Sequence, residues 1–220
     1  RVPTKTRDAA VSDRVVPMFS LVAVSASTAA PQEPAAPADV PDRCWIPTFT
    51  GRAFDVVAPA SRDVSIRDIA HSLSLQCRFG GHCQRFYSLA EHSVLLSRLV
   101  DAKLALCALL HEAAHAYVQE VIVPVRALLP GYRELADGIW DVVARRFRLP
   151  AMLPQPVRHA DRRLLATEIE YLLLPTSRPW PRDLEPLSLE ALGLRSSKQL
   201  GLLPREARQQ FLERFAELAV

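Results

Sequence analysis

Apolar and polar positions alternate along most of the chain with the period of helices. From residue 65 onward, apolar side chains recur every three or four positions, the spacing that buries one face of an α-helix. The pattern predicts helices over residues 65–75, 87–100, 103–117, 131–147, 157–174 and 204–220. The expected fold class is therefore all-α, with a loop and a short helix in the β-branched stretch 118–129.

Two segments lie outside this helical pattern. Residues 45–55 place aromatic and β-branched side chains around Gly51, so they predict a short hairpin or extended pair that flanks the helical body. Residues 1–43 are rich in Ala, Pro, Ser and Val and contain few large side chains, a composition typical of a disordered tail. We therefore expect a tail over residues 1–43 and a helical domain over residues 44–220.

Two serines are expected to begin helices. Ser65 directly precedes an apolar run and is suited to be an N-cap. Ser88 lies three residues before Glu91, the spacing of a capping box, in which each side chain bonds the other residue's backbone N–H. His92 is thereby predicted in the first turn or so of the second main helix.

Composition and charge narrow the classes of function. The chain has 220 residues, 49% of them hydrophobic, which is enough to bury a full core. The 27 basic and 24 acidic residues leave a charge of +3, too small an excess to indicate a nucleic-acid surface. The four cysteines form no Cys-x-x-Cys pair, so a reduced, cytoplasmic protein is expected. No window approaches the ~18 uninterrupted apolar residues of a membrane-spanning helix.

The candidate chemistry is concentrated in residues 105–117. There His111 and His115 stand four positions apart among good helix formers, with Glu112 beside the first, a layout that predicts metal ligands on a helix. The other histidines are His71, His82, His92 and His159, the last of which lies two residues before Asp161. This concentration of imidazoles favours a metal site over scattered surface histidines.

The His-Glu-x-x-His pattern has one interpretation as a zinc metalloprotease. In that class both histidines bind zinc and the glutamate is the general base. A third ligand would then be sought in Glu168 or Glu170 on a later helix. No His-x-x-Gly-x-x-His extension follows His115, and no strand-rich segment precedes residue 100, so this remains an alternative.

A second interpretation comes from four motifs that follow one another in order. They are Arg-Phe-Gly-Gly-His at 78–82, Tyr-Ser-Leu-Ala-Glu-His-Ser at 87–93, Ala-Leu-Leu-His-Glu-Ala-Ala-His-Ala-Tyr at 108–117 and His-Ala-Asp-Arg-Arg-Leu-Leu-Ala-Thr-Glu at 159–168. Together they resemble the HD-domain metal-dependent phosphohydrolases, in the branch similar to bacterial 5'-deoxynucleotidases. The resemblance runs from about residue 45 to residue 171. It implies an HD-domain helical bundle that hydrolyses a nucleoside monophosphate or related small phosphate ester.

The resemblance also implies roles for individual residues. The metal ligands, carried over by position, are His92, His111, Glu112 and Asp161, and they would hold one divalent transition metal ion such as Mn, Co, Fe, Ni or Zn. The upstream pair that helps hold the nucleotide falls on Arg78 and Phe79, because Arg forks two N–H groups onto a phosphate and Phe offers a flat surface. His82, after two glycines, is a further candidate for the wall of the site.

Three acidic positions of that family are altered in this chain. Glu112 replaces the Asp of the His-Asp pair, and its extra methylene moves the carboxylate by about 1.5 Å. His115 replaces a catalytic Glu, and Glu120, preceded by Gln119 in place of the common Gly, replaces an Asp. His115 or Glu120 is therefore expected to be the catalytic proton shuttle.

These changes also support a non-catalytic alternative. An HD-like domain that has lost its acidic residues would bind a nucleotide or a protein partner without hydrolysing it. For the enzyme we expect a nucleotide or phosphate ester as the partner and no association with a membrane. Members of the family that this chain resembles often form homodimers.

Overall fold

The structure is a computed structural model that describes residues 44–178 and 185–219. The tail predicted over residues 1–43 lies outside these ranges. Within them the chain forms eight α-helices, one two-stranded sheet and several short 3-10 turns. The prediction of a mainly helical fold with a small extended element is confirmed. No helix in the described ranges is long and apolar enough to cross a membrane.

The extended element is the predicted hairpin. Strand β1 (Trp45–Pro47) pairs antiparallel with β2 (Ala53–Asp55), with Ile46 opposite Phe54. Gly51 in the turn has a φ of 79°, in the left-handed region that glycine adopts without steric cost. The aromatic and β-branched pattern around this glycine therefore predicted the element correctly.

Two contacts fix the hairpin on the helical body. Phe54 is fully buried and its ring stacks on Tyr117 at a centroid distance of 3.8 Å. Asp68 accepts hydrogen bonds from the backbone N–H and the hydroxyl of Thr50, at 2.7 and 2.9 Å. The carboxylate of Asp68 is thus buried with its charge satisfied by the turn of the hairpin.

The helices form two connected hydrophobic clusters. One lies between the hairpin and the helices α1 to α4, α6 and α8, and the other lies between α2, α3, α7 and residues 187–200. Helix α2 contributes to both clusters and buries nine of its ten residues, so it is the central helix of the described fold. The helices are α1 (Ile66–Leu75), α2 (Leu89–Arg98), α3 (Ala102–Leu110), α4 (His115–Val118), α5 (Val123–Arg126), α6 (Tyr132–Phe147), α7 (Gln155–Leu172) and α8 (Pro204–Leu218).

The start of α2 agrees only in part with the capping-box prediction. Ser88 is the N-cap and its hydroxyl accepts the backbone N–H of Glu91 at 3.1 Å. The Glu91 carboxylate instead accepts the backbone N–H groups of Gly201 and Leu202, at 3.0 and 2.8 Å. Glu91 therefore attaches the segment before α8 to the central helix, while Ser65 is the N-cap of α1 without a side-chain capping bond.

The predicted continuous helix over residues 103–117 is wrong. Helix α3 ends at Leu110 and α4 begins at His115, and the turn residues between them have i to i+3 hydrogen bonds such as His115 N–H to the Glu112 carbonyl at 3.0 Å. A 3-10 turn advances about 120° per residue instead of about 100°. His111 therefore directly follows α3, whereas His115 is the first residue of α4.

Candidate functional site

Three helices that are distant in sequence bring three ligand atoms together. His92 comes from the first turn of α2, His111 follows the last residue of α3, and Asp161 lies in the second turn of α7. His92 Nε2 lies 3.3 Å from His111 Nε2 and 3.2 Å from Asp161 Oδ1. His111 Nε2 lies 4.0 Å from the same Asp161 oxygen. Three of the four predicted metal ligands therefore converge, and all three ligand atoms lie within 4.8 Å of one another.

The spacing of these atoms fits a single divalent ion. Ligand atoms about 2.0–2.2 Å from a tetrahedral ion lie roughly 3.3–3.6 Å apart. The three observed separations of 3.2, 3.3 and 4.0 Å bracket that range. Imidazole nitrogens and a carboxylate oxygen suit Zn, Mn, Fe, Co and Ni. Three protein ligands leave coordination positions open for water and substrate, as catalytic sites require.

Both imidazoles are oriented by a hydrogen bond at the opposite ring nitrogen. His92 Nδ1 lies 2.6 Å from Glu168 Oε1, and His111 Nδ1 lies 2.7 Å from the Ala108 carbonyl oxygen. Since α3 ends at Leu110, the Ala108 carbonyl is one of the last four of the helix and has no intrahelical partner. When each imidazole is neutral and Nδ1–H donates to this oxygen, Nε2 carries the lone pair, which is directed at the convergence point.

The surrounding charges favour a positive charge at the place where the atoms of His92, His111 and Asp161 meet. Burial and the charge of Arg78 lower the pKa of His92, but Glu168 and Asp161 more than offset them and raise it to about 9. Burial opposes ionisation of Asp161, yet its contacts with the two histidines hold its pKa below the ordinary value. The carboxylates thus stabilise a positive charge where the three ligand atoms meet.

Glu168 is a site residue that sequence reasoning assigned only to the protease alternative. It lies seven residues, or two helical turns, after Asp161, and therefore on the same face of α7. Its carboxylate is buried and also accepts the hydroxyl of Tyr87 at 2.8 Å. Burial opposes its ionisation, but Arg78 and His92 hold its pKa below the ordinary value. The spacing of seven from Asp161 was the sequence signal for this role.

Arg78 lies beside the site but is surrounded by carboxylates. It is only 7% exposed, and its guanidinium pairs with Glu168 at 3.1 Å, Glu112 at 3.6 Å and Glu120 at 4.0 Å. Its role in holding a phosphate stays a prediction. The guanidinium already compensates three buried or half-buried negative charges, a structural task that explains its burial.

Phe79 and His82 are the other predicted substrate contacts. Phe79 lies on the 3-10 turn at Arg78–Gly81, and His82 directly follows this turn. Phe79 has a φ of 57° and its half-buried ring lies 5.5 Å from the Arg78 guanidinium. His82 is exposed. Within the described ranges no contact joins His82 to the convergent ligands, so Phe79 is nearer to the site chemistry than His82.

Glu112 and His115, two of the altered positions, form an ion pair next to the ligands. Glu112 Oε1 lies 3.4 Å from His111 Nε2, and Glu112 Oε2 lies 3.0 Å from His115 Nε2. Burial opposes the charge on Glu112, but the two histidines hold its pKa well below the ordinary value. Burial likewise opposes the charge on His115, and Glu112 raises its pKa. Glu112 is therefore shared between His111 and His115 and stands outside the convergent group of three.

The other side of His115 faces a strained loop. Its Nδ1 lies 3.1 Å from both the Gln119 carbonyl and the Tyr132 hydroxyl, and that hydroxyl also donates to the Gln119 carbonyl. Gln119 has φ 64° and ψ 154°, a backbone conformation that is otherwise almost confined to glycine. A residue held there is typical of functional sites, because the surrounding contacts must impose the strain.

Glu120, the third altered position, lies at the edge of the site. Its backbone N–H donates to the Gln76 side chain at 2.9 Å, and its half-buried carboxylate faces Arg78. Burial raises the pKa of Glu120 in spite of the Arg78 charge. His115 is in direct contact with Glu112, so it lies closer to the ligands than Glu120 does.

A cavity of about 810 Å³ opens beside the ligands between α5, α6 and the start of α7. His111 and His115 form one wall, and Tyr132, Trp140 and Arg126 are among the residues opposite. Its volume is within the usual range for a small-molecule pocket.

Comparison with known proteins identifies relatives without assigning an activity. No model of a known protein family matches the chain. The chain is 38% identical over 176 residues to the uncharacterized protein YfdR of Escherichia coli K12, covering 80% of this chain and 96% of YfdR. It is also 38% identical over 128 residues to an uncharacterized protein of Rhodobacter capsulatus, covering 54% of this chain and 65% of that relative.

Proposed function

The chain belongs to the family of YfdR, and we propose that it is a metal-dependent phosphohydrolase of the HD type. Its substrate would be a nucleoside monophosphate or a related small phosphate ester. The observation that carries this proposal is the convergence of His92 Nε2, His111 Nε2 and Asp161 Oδ1 from three helices. The order of the four motifs, which resembles the HD phosphohydrolases, supports the same function.

In this proposal His92, His111 and Asp161 hold the divalent ion. When bound, such an ion would polarise a phosphate oxygen and activate a water molecule for attack on phosphorus. Glu168 and the Ala108 carbonyl fix the two imidazoles, so that both Nε2 atoms remain available as ligands.

His115 is the candidate proton donor. Hydrolysis of a phosphate monoester breaks the bond between phosphorus and the leaving oxygen, which then takes up a proton. The contact of His115 Nε2 with Glu112 favours the charged imidazolium, and its ring lines the cavity next to His111. His115 thereby holds a proton on the cavity wall, at the position where the family has a catalytic Glu.

The geometry favours this function over a zinc metalloprotease. A protease of the His-Glu-x-x-His class needs both His111 and His115 as ligands. Here His115 Nε2 is paired with Glu112, and the group that converges with His111 consists of His92 and Asp161.

A non-catalytic nucleotide-binding domain is a second candidate. The observation that favours it is the pairing of Arg78 with three carboxylates, which occupies a cation that would otherwise hold the substrate phosphate. This candidate predicts nucleotide binding without phosphate release under any metal.

The proposal is tested by metal content and phosphate release. Purified protein is expected to retain a divalent metal and to release phosphate from at least one nucleoside monophosphate when Mn, Co, Ni or Zn is added. His92→Ala and Asp161→Asn should each abolish both properties. His159→Ala is the matched control, because His159 is an exposed histidine of α7 outside the convergent group, and it should change neither. No metal and no phosphate release from the wild-type protein would overturn the proposal.

A further inference from the structure

The cavity beside the ligands contains a cation whose charge no carboxylate compensates. Arg126, at the end of α5, is half-buried in the cavity wall. In the described ranges its side chain has no hydrogen bond or ion pair, which is unusual for a half-buried guanidinium with five N–H donors. The position of Arg126 suits an anionic group of a ligand that enters the cavity.

The other arginines near the site are engaged differently. Arg133 lies 3.6 Å from Asp137 in an exposed pair, and Arg158 donates to the Leu153 carbonyl at 2.6 Å. Arg78 pairs with three carboxylates and is not among the residues that line this cavity. Of these four guanidinium groups, Arg126 is the one with neither a hydrogen bond nor an ion pair in the described ranges.

Two aromatic rings line the same cavity. Trp140 is half-buried, and its Nε1–H donates to the Ala151 carbonyl at 2.8 Å, which fixes the orientation of the indole. Tyr132 is held by its contacts with His115 and Gln119. Rings with a fixed orientation offer a flat apolar surface at little entropic cost, which suits the stacking of a planar ligand group.

We propose that this cavity is the substrate pocket, that Arg126 binds the substrate's phosphate, and that Trp140 stacks on a planar aromatic ring of the substrate. This inference rests on the proposed function and names the residues that would bind its substrate, a phosphate monoester that carries an aromatic base. It assigns the anion-binding role that the resemblance implies for Arg78 to a residue 48 positions later in the chain.

The first test measures binding directly, with adenosine 5'-monophosphate as the probe. Calorimetric titration of metal-loaded and metal-free protein gives the Kd without reference to turnover. Arg126→Ala should raise the Kd at least about tenfold, because a charge-assisted fork onto phosphate is lost. Arg126→Lys, which keeps the charge without the fork, should give a smaller rise. Arg145→Ala, an exposed arginine of α6 outside the cavity, should leave the Kd unchanged.

The second test measures the contribution of the ring. Ribose 5-phosphate has the same phosphate without a base, so the wild-type protein should bind it roughly fivefold or more weakly than adenosine 5'-monophosphate. Trp140→Leu should reduce that difference, whereas Trp140→Phe should keep most of it. Circular dichroism spectra and melting temperatures identify any variant that fails to fold. If Trp140→Leu does not fold, the comparison of Trp140→Phe with the wild type is used instead.

The outcomes distinguish this inference from the proposed function. Binding that depends on Arg126 without phosphate release under any metal supports the pocket and overturns the enzyme. Phosphate release with equal KM and Kd in Arg126→Ala and Arg145→Ala supports the enzyme and overturns the pocket. Failure of the wild-type protein to bind either probe at millimolar concentration overturns the pocket.

Discussion

His111 and His115 are the same residue type four positions apart, and their surroundings make them different chemical groups. His111 directs Nε2 toward His92 and Asp161, while its Nδ1 faces a free carbonyl at the end of α3. His115 directs Nε2 toward Glu112, while its Nδ1 faces the Gln119 carbonyl. One histidine therefore faces a group that could hold a metal ion, and the other is paired with a carboxylate.

The difference originates in the backbone and not in the motif. A regular α-helix through residues 111–115 would place both imidazoles on nearly one face. The tighter turn after Leu110 ends α3 before His111 and leaves the Ala108 carbonyl to orient that residue. This end of α3 thus gives His111 a backbone acceptor for Nδ1, whereas His115 begins the next helix.

The largest effect that tests this comparison is on metal binding. His111→Ala removes a ligand atom from the group of three and should abolish stoichiometric metal binding, because two remaining ligands hold a transition metal weakly. His115→Ala should retain the metal and lose hydrolytic activity by about 100-fold or more, the usual contribution of a general acid. Metal content by plasma mass spectrometry and phosphate release measure the two properties.

The reverse pattern would contradict the assignment of roles. Loss of the metal from His115→Ala, with retention in a His92→Ala variant, would mean that the two histidines of the motif bind together as in a protease. Loss of activity with metal retained in His92→Ala would likewise remove His92 from the ligand set.

The next largest effect concerns the buried charges behind the ligands. Glu168→Ala leaves Arg78 buried without its shortest ion pair, at 3.1 Å, and removes the acceptor of His92 Nδ1. We expect the free energy of unfolding to fall by about 3–5 kcal/mol, the usual cost of breaking a buried pair. Glu168→Gln keeps an acceptor and the shape, so urea denaturation should show a smaller loss. Equal stability of the wild type and Glu168→Ala would contradict the buried-pair description.

A smaller change, of the opposite sign, is expected on the His115 side. Gln119 has φ 64° and ψ 154°, where a side chain is strained. Gln119→Gly should raise the free energy of unfolding by about 1 kcal/mol, because the relief of strain exceeds the entropy that glycine adds to the unfolded chain. Gln119→Ala keeps the strain and is the matched control. Thermal unfolding of the two variants measures the difference, and a glycine variant less stable than the alanine variant would exclude strain at this position.

Local patterns predicted most helices, and the resemblance pointed to three residues that the structure brings together, His92, His111 and Asp161. Five of the six predicted helical segments and the hairpin follow from apolar spacing and from N-cap residues such as Ser88, since these signals are local. The turn after Leu110 could not be predicted, because the apolar run around it contains neither Gly nor Pro. The hydrogen bond between Tyr87 and Glu168 joins residues 81 positions apart, and no local pattern indicates such a pair.

A third histidine, away from the ligands, provides the smallest effect. The ring of His71 on α1 stacks on Phe49 at a centroid distance of 3.8 Å. Arg208 Nη1, from α8, lies 3.4 Å from His71 Nδ1, and the charge of Asp68 also acts on this imidazole. Burial and the Arg208 charge lower the pKa of His71, and Asp68 only partly offsets them. The unfolded chain therefore binds more protons than the folded chain near pH 6.5, so the stability present above that pH is lost as the pH falls. His71→Phe keeps an aromatic ring at this position but cannot be protonated. Between pH 7.5 and pH 5.5, the melting temperature of this variant should therefore fall less than that of the wild type. The other titrating groups are the same in both proteins and affect both equally. An identical fall in both proteins would mean that His71 protonates as easily in the folded chain as in the unfolded chain.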